Sequence, residues 1–319
     1  MLTPKTLSKI SILIPAFNEA QSIQKCTNEI VEILDTNNYA WEIIVIDDGS
    51  RDETYEQICT MSALDPNIKG ISLSRNFGKE AAMLAGLEYA SGDAVIIIDA
   101  DLQHPASLIP SMIDQWRMGS QIVHAVKRSR QEDSVVKRSL VYGINKMISK
   151  LGGIDVNNSS DFKLLDREIV DIIVHSLPEK MRFFRGLTSW IGFSEAYIYF
   201  DVASRQEGES KFCFLSLLEL SITALTSFTN LPLRIVTFFG AVTLILGFII
   251  AGDALRSLIG GHAVSGYATI IITLLLIGSF TMISLGIIGE YIARIYEEVK
   301  ARPHFLVKAS VGVPLNKHQ

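Results

Sequence analysis

Four short, mostly apolar runs near the start of the chain each end abruptly in a polar cluster. Residues 10–14 lead into Pro15-Ala16-Phe17-Asn18-Glu19, and residues 41–46 into Asp47-Asp48-Gly49-Ser50. Residues 69–73 lead to Arg75-Asn76, and residues 94–98 to Asp99-Ala100-Asp101-Leu102-Gln103. Near-continuous apolar runs of this length read as strands buried on both faces. Helical patterns fill the gaps at about residues 20–37, 54–64 and 79–90, and Pro105 stands where proline opens a helix. Residues 122–126 form a fifth run. The alternation predicts an α/β fold, Rossmann-like, with a mainly parallel sheet covered on both faces. Such sheets bind ligands beyond the carboxyl ends of their strands. All four polar clusters fall there.

Asp99 and Asp101 are two residues apart at a strand end, so their side chains point the same way. No basic residue in the run neutralises them. An uncompensated buried carboxylate is costly, and the pair therefore predicts a cation. Hard oxygen ligands suit Mg2+ or Mn2+, and Mg2+ commonly takes one or two carboxylates together with substrate phosphates. A solvated acidic turn is the plainer alternative. No G-x-G-x-x-G or G-x-x-x-x-G-K-[ST] follows any strand, which removes the main support for dinucleotide and P-loop readings. A net charge of -5 argues against nucleic acid as a partner. Cys26, Cys59 and Cys213 form no C-x-x-C, so neither a disulfide framework nor a zinc site is expected.

The second half differs. Mean hydropathy is +0.29, and the excess lies in residues 235–252 and 266–289, neither of which holds a charged residue. Each is long enough to cross a hydrocarbon core of about 30 Å as a helix. Two buried soluble helices are the alternative. Arg234 precedes the first run; Arg294, Lys300, Arg302 and Lys308 follow the second; the connecting residues 253–265 carry one arginine, Arg256. The positive-inside rule then places both termini in the cytosol. No cleavable signal is read at the start of the chain. Residues 134–151 look helical, and residues 212–229 read as an amphipathic helix in the membrane interface, with a third span as the alternative. The expected organisation is a cytosolic catalytic domain over 1–211, an interfacial helix over 212–230, a two-helix transmembrane hairpin over 231–290 and a cytosolic tail over 291–319. That organisation predicts a multi-pass protein of the cell membrane.

Taken in order, the clusters at Pro15–Glu19, Asp47–Ser50 with Asp52, and Asp99–Gln103 resemble the serial motifs of family 2 glycosyltransferases with a GT-A fold. With the C-terminal hairpin, Arg75-Asn76-Phe77-Gly78-Lys79 and Gly208-Glu209-Ser210-Lys211, the chain looks like the polyprenyl-phosphate glycosyltransferases, such as the bactoprenol glucosyltransferases and dolichol-phosphate mannosyltransferase. The likeness extends to about residue 305. It implies that Asp99, Asp101 and Gln103 hold the divalent cation, and that Pro15, Phe17, Glu19, Asp47 and Arg128 bind the nucleotide-sugar. It implies further that Asp161 lies near the reacting centre. Arg205, Ser210 and Lys211 combine a guanidinium, a hydroxyl and an ammonium suited to the acceptor phosphate; Arg182 and Arg185 could assist. The implied reaction is inverting transfer of a hexose, with UDP-glucose the favoured donor, to a polyprenyl (undecaprenyl) phosphate. Mannose from GDP-mannose is an alternative, and self-association is left open. A processive polysaccharide synthase would need a Q-x-x-R-W motif, which is absent. A non-enzymatic membrane scaffold would not need the intact carboxylates.

Overall fold

The computed structural model describes residues 5–128, 161–177, 184–200, separate positions between 236 and 260, and 266–314. It divides into two units, residues 1–213 with 303–319, and residues 214–302.

The first unit is built on one eight-stranded sheet. Its strands are β1 (Ile10–Ala16), β2 (Trp41–Asp47), β3 (Ile68–Leu73), β4 (Ala94–Ile97), β5 (Ile122–Lys127), β6 (Lys163–Asp166), β7 (Glu195–Phe200) and β8 (Val307–Val311). Their order across the sheet is β7-β5-β6-β4-β1-β2-β3-β8. Helices α1 (Ile23–Thr36), α2 (Thr54–Leu64), α3 (Lys79–Tyr89) and α4 (Ile109–Arg117) follow the first four strands in turn. Two further helices, α5 (Arg167–Asp171) and α6 (Phe184–Ile191), come after β6.

The side-chain period of two divides each central strand between two cores. Ile10, Ile12 and Ile14 of β1 join Ile43, Val45 and Ile96 on one face, packed against α1 and α4. Leu13, Ile44, Ile46, Val95 and Ile97 form the other face, under α3, α5 and α6. The fit is close: a Cβ on Gly86 of α3 would lie 2.7 Å from the Ile46 Cδ1 atom. α1 buries Ile23, Cys26, Thr27, Ile30 and Leu34, the stripe expected of a helix covering a sheet.

The five expected strands and four expected helices are present within a few residues. The pairing is more mixed than a simple β-α-β alternation predicts. β1, β2, β3 and β4 are mutually parallel, but β6 runs antiparallel between β4 and β5, and β8 runs antiparallel along β3. β6 is only four residues, Lys163-Leu164-Leu165-Asp166, with a charge at each end. Its strand character comes from the two ladders it fills and not from an apolar run.

The second unit contains α7 (Tyr267–Val299), 33 residues and so about 50 Å long. Phe239, among the helical positions between 236 and 250, meets this helix, its ring stacking on that of Phe280 at 5.9 Å. Much of this unit's apolar surface is exposed, including Phe248, Leu274, Met282 and Ile283. Several α7 side chains lie outside the described set. Counted over the described residues alone, no helix is long and apolar enough to cross a membrane. The expected helices at 134–151 and 212–229 fall outside the described residues. Residues 291–319, read from sequence as a tail, include the end of α7 and strand β8.

Candidate active site

Because β1 to β4 are parallel, the segments that follow them meet at one sheet edge. The first two are tied together. The Asn18 amide donates to Ser50 Oγ (2.9 Å), the Arg51 amide to Asn18 Oδ1 (2.9 Å) and the Glu19 amide to Thr54 Oγ1 (3.0 Å). Asn18 adopts φ +55, a left-handed conformation that asparagine tolerates. Gly49 has φ +68, and a Cβ there would fall 2.4 Å from the Arg75 carbonyl carbon. Only glycine lets the β2 and β3 segments approach so closely.

Asp47 and Asp48 are both buried and serve different segments. Asp47 accepts the Ser50 amide at 2.9 Å and the Ser72 hydroxyl at 2.8 Å, so both its oxygens are engaged within the protein. Asp48 accepts the Phe77 amide at 2.8 Å and the Gly78 amide at 2.9 Å. Burial raises the Asp48 pKa, the two amides opposing it and the Asp47 charge adding to it.

Asp99 and Asp101 follow β4 on a turn in which Leu102 takes φ +59. Asp101 is exposed, and its Oδ1 accepts the Gln103 amide at 3.1 Å. Asp99 points to Lys79, whose Nζ lies 2.6 Å from Asp99 Oδ1 and 3.1 Å from Asp161 Oδ2. One ammonium therefore joins two carboxylates 62 positions apart in sequence. Burial works against the Lys79 charge, but Asp99 and then Asp161 outweigh it and raise its pKa. Asp161 reaches this edge because β6 is antiparallel, so that the start of β6 lies beside the end of β4. Behind this group, burial and then the Asp161 charge push the Glu80 carboxyl up to about 7; Glu80 Oε2 accepts the Phe184 amide at 3.3 Å. His104 Nδ1 faces Asp99 Oδ2 at 3.8 Å, beyond hydrogen-bond distance, and its ring sits 5.2 Å from that of Phe162. Burial lowers the His104 pKa against the pull of Asp99 and Asp101.

These residues enclose a cleft of about 380 Å3, lined by Pro15, Phe17, Glu19, Asp48, Asn76, Lys79, Asp99 and Asp101 among others. That volume suits a small-molecule ligand. The structure thus brings together Pro15, Phe17, Glu19, Asp99 and Asp101, with Asp161 joined to them through Lys79. Gln103 is adjacent through its amide. Asp47 sits at the end of β2, turned to Ser50 and Ser72. Arg128 follows β5 at the same sheet edge, its amide donating to the Phe200 carbonyl at 2.8 Å. Arg205, Ser210, Lys211 and Arg182 lie outside the described residues, as does the side chain of Arg185. Lys79 and Asp48 were not singled out from sequence. The available signal for Lys79 was a lysine at the first position of a helix, where the helix dipole disfavours a cation.

The donor set fits a hard divalent cation that shares its coordination with a ligand's phosphates. The carboxylates are oxygen donors, and Asp101 is open to the cleft. No closed protein cage competes: among the described residues no group of three His, Cys, Asp or Glu side chains could hold a metal by itself.

A mixed, mainly parallel sheet with carboxylates gathered at the carboxyl edge of its parallel strands places the protein among Rossmann-like α/β folds with a ligand cleft at that edge. The chain belongs to glycosyl transferase family 2, whose profile matches residues 11–173, and it is a glycosyltransferase. The Shigella flexneri SfII prophage-derived bactoprenol glucosyl transferase is 38% identical over 95% of this chain and 98% of its own. The Escherichia coli (strain K12) prophage bactoprenol glucosyl transferase homolog is 37% identical over 94% and 98%. An uncharacterized glycosyltransferase of Synechocystis sp. is 40% identical over 97% and 98%. Among solved structures, glucosyl-3-phosphoglycerate synthase from Mycobacterium tuberculosis, in complex with Mn2+, UDP and phosphoglyceric acid, aligns at 22% identity with a TM-score of 0.43, covering 68% of this chain and 75% of that one.

Proposed function

We propose that this protein transfers glucose from UDP-glucose to a polyprenyl phosphate at the cytosolic face of the cell membrane, inverting the anomeric carbon. The observation that carries the reading is the extent of the likeness to proteins named bactoprenol glucosyl transferase. It runs over 94–95% of the chain, far beyond the family match at residue 173, and so includes the half that would handle an acceptor. The many exposed large apolar side chains of the second unit, Phe248, Leu274, Met282 and Ile283 among them, support a membrane setting, since extended exposed apolar surface marks interaction with lipid or protein. On this reading residues 235–252 and 266–289 span the bilayer as a hairpin.

The chemistry follows from the acceptor. A sugar hydroxyl would need a general base, whereas a phosphate monoester with a second pKa of about 6 is already anionic near neutral pH. The difficulty is to bring two anions together. A bound Mg2+ or Mn2+ would neutralise the donor diphosphate and stabilise the leaving group, held by Asp101 with Asp99 and Gln103. Pro15, Phe17 and Glu19 would form the nucleotide wall of the cleft, with Asp47 and Arg128 as further donor contacts. Arg205, Ser210 and Lys211 would neutralise and aim the acceptor. Asp161, held by Lys79, is suited to orienting a reactant and is not required as a proton acceptor.

The test is incubation of the full-length protein, in membranes or detergent, with undecaprenyl phosphate, Mn2+ and a panel of UDP- and GDP-sugars. Mass spectrometry of the lipid fraction should show a hexosyl phospholipid from UDP-glucose. A product from GDP-mannose alone would overturn the donor, and no lipid product with any sugar would overturn the acceptor.

A further inference from the structure

Lys79 occupies an unfavourable place for a lysine. It is the first residue of α3, at the positive end of the helix dipole. The preceding Gly78 has φ +97, and its amide is held by Asp48. The backbone origin of the side chain is therefore fixed. Among the described residues, its ammonium meets two carboxylates across the cleft, Asp99 Oδ1 at 2.6 Å and Asp161 Oδ2 at 3.1 Å. Those carboxylates come from two different segments, one after β4 and one before β6. The Lys79 side chain keeps 39% of its surface exposed, so it lies in the open cleft and not in a packed core.

This arrangement conflicts with simple metal loading. A divalent cation on the Asp99–Asp101 turn would sit within a few ångströms of the ammonium now at Asp99. Two cations that close repel by about 1 kcal/mol or more per unit charge, even in a wet cleft. The repulsion is relieved if the ammonium has another anion to move to. A diphosphate beside the metal supplies one, and the flexible lysine stem lets the charged end swing while Cα stays in place.

We propose that Lys79 is a resident counter-cation of the donor site: it neutralises Asp99 and Asp161 while the cleft is empty and passes to the diphosphate when metal and nucleotide enter together. This rests on the nucleotide-sugar reading above and adds a donor-binding residue to it. Lys79 discourages metal from binding alone, and it makes metal and diphosphate binding mutually dependent, as any shared interaction must.

The experiment is Mn2+ binding to the full-length protein, read from the electron paramagnetic resonance of free Mn2+, with and without UDP. Wild type should bind Mn2+ weakly alone and more tightly with UDP. Lys79→Gln should bind Mn2+ alone about tenfold more tightly, because a competing charge is gone. Its gain from added UDP should shrink by a similar factor, while Lys79→Arg should behave as wild type. Lys79→Met, of similar length, serves as a second uncharged variant should the glutamine form fold poorly. Uncharged variants that bind Mn2+ alone no more tightly than wild type would overturn the role of Lys79 and leave the donor reading intact. Failure of UDP to tighten Mn2+ on the wild type would overturn the donor reading, and the hand-over with it.

Discussion

The Asp48 carboxylate receives the Gly78 amide at 2.9 Å, and through that bond the end of β2 fixes the start of α3. Its other oxygen takes the Phe77 amide at 2.8 Å. The cleft wall that carries Lys79 is tied to the end of β2 through this buried side chain.

Asp48→Ala should therefore cost stability and loosen the donor site. Each bond to a charged group contributes about 1.5–3 kcal/mol, but the variant also escapes the burial penalty that raises the Asp48 pKa. The net loss should be about 2 kcal/mol, with Asp48→Asn losing less because one acceptor oxygen remains. Urea unfolding followed by the fluorescence of the buried Trp41 and Trp116 would measure it. An unchanged midpoint for Asp48→Ala would show that the two amides are held by something else.

At the opposite sheet edge, Glu42 is almost fully buried and makes contacts to Lys69 at 2.6 Å, Lys9 at 2.7 Å and Ser11 Oγ at 2.6 Å. Burial alone would raise its pKa; Lys69, Lys9, Ser11 and the Ser91 amide overcome that and hold it at about 2. A depressed carboxylate pKa stabilises the fold above the unfolded-state value and loses that stabilisation as pH falls toward the folded one. About 3 kcal/mol of stability should disappear between roughly pH 5 and pH 2. Glu42→Gln should be less stable at pH 7 and show a flatter acid limb. A variant with the acid profile of wild type would assign the acid sensitivity elsewhere.

Asp101 is exposed, and among the described residues it accepts one hydrogen bond, from the next-but-one amide, Gln103. Asp101→Asn should leave the unfolding transition nearly unchanged and reduce transfer by about 100-fold or more through loss of cation and transition-state stabilisation. Turnover within a few-fold of wild type, measured at ordinary Mg2+ or Mn2+, would remove Asp101 from the metal site.

Lys211→Ala should weaken transfer to polyprenyl phosphate while leaving nucleotide binding, measured calorimetrically with Mn2+, close to wild type. Arg205→Ala should do the same, and the double variant should lose less than the combined single effects if both grip one phosphate. Loss of nucleotide affinity in Lys211→Ala, with normal transfer at saturating donor, would move Lys211 to the donor side.

The central sheet was legible because Ile10–Ile14, Trp41–Ile46 and Ala94–Ile98 are buried on both faces and so carry their burial in composition. The antiparallel strands were not, because β6 and β8 owe their conformation to the edges they pair with. The same holds for the site. Asp99 and Asp101 announce themselves by following an apolar run. Asp161 came only from family likeness, since its arrival at Asp99 requires β6 to run backwards through the sheet. Asp47 reads the same as a ligand or as a turn residue, and the structure directs its oxygens to Ser50 and Ser72. Lys79 was hidden inside a motif because nothing local says where a long side chain will find its partner.

Strand β8 is made some 230 residues after β3, the strand it pairs with, and the whole helical unit lies between them in the chain. During synthesis the edge of β3 therefore emerges early and waits, a row of backbone donors and acceptors with no neighbour. At about 5–20 residues per second that interval lasts tens of seconds. The final ladder can form only after α7 has left the ribosome. Completion of the sheet thus waits on synthesis of the whole helical unit, and a chain cut short within that unit would carry a nascent β3 edge open to other chains.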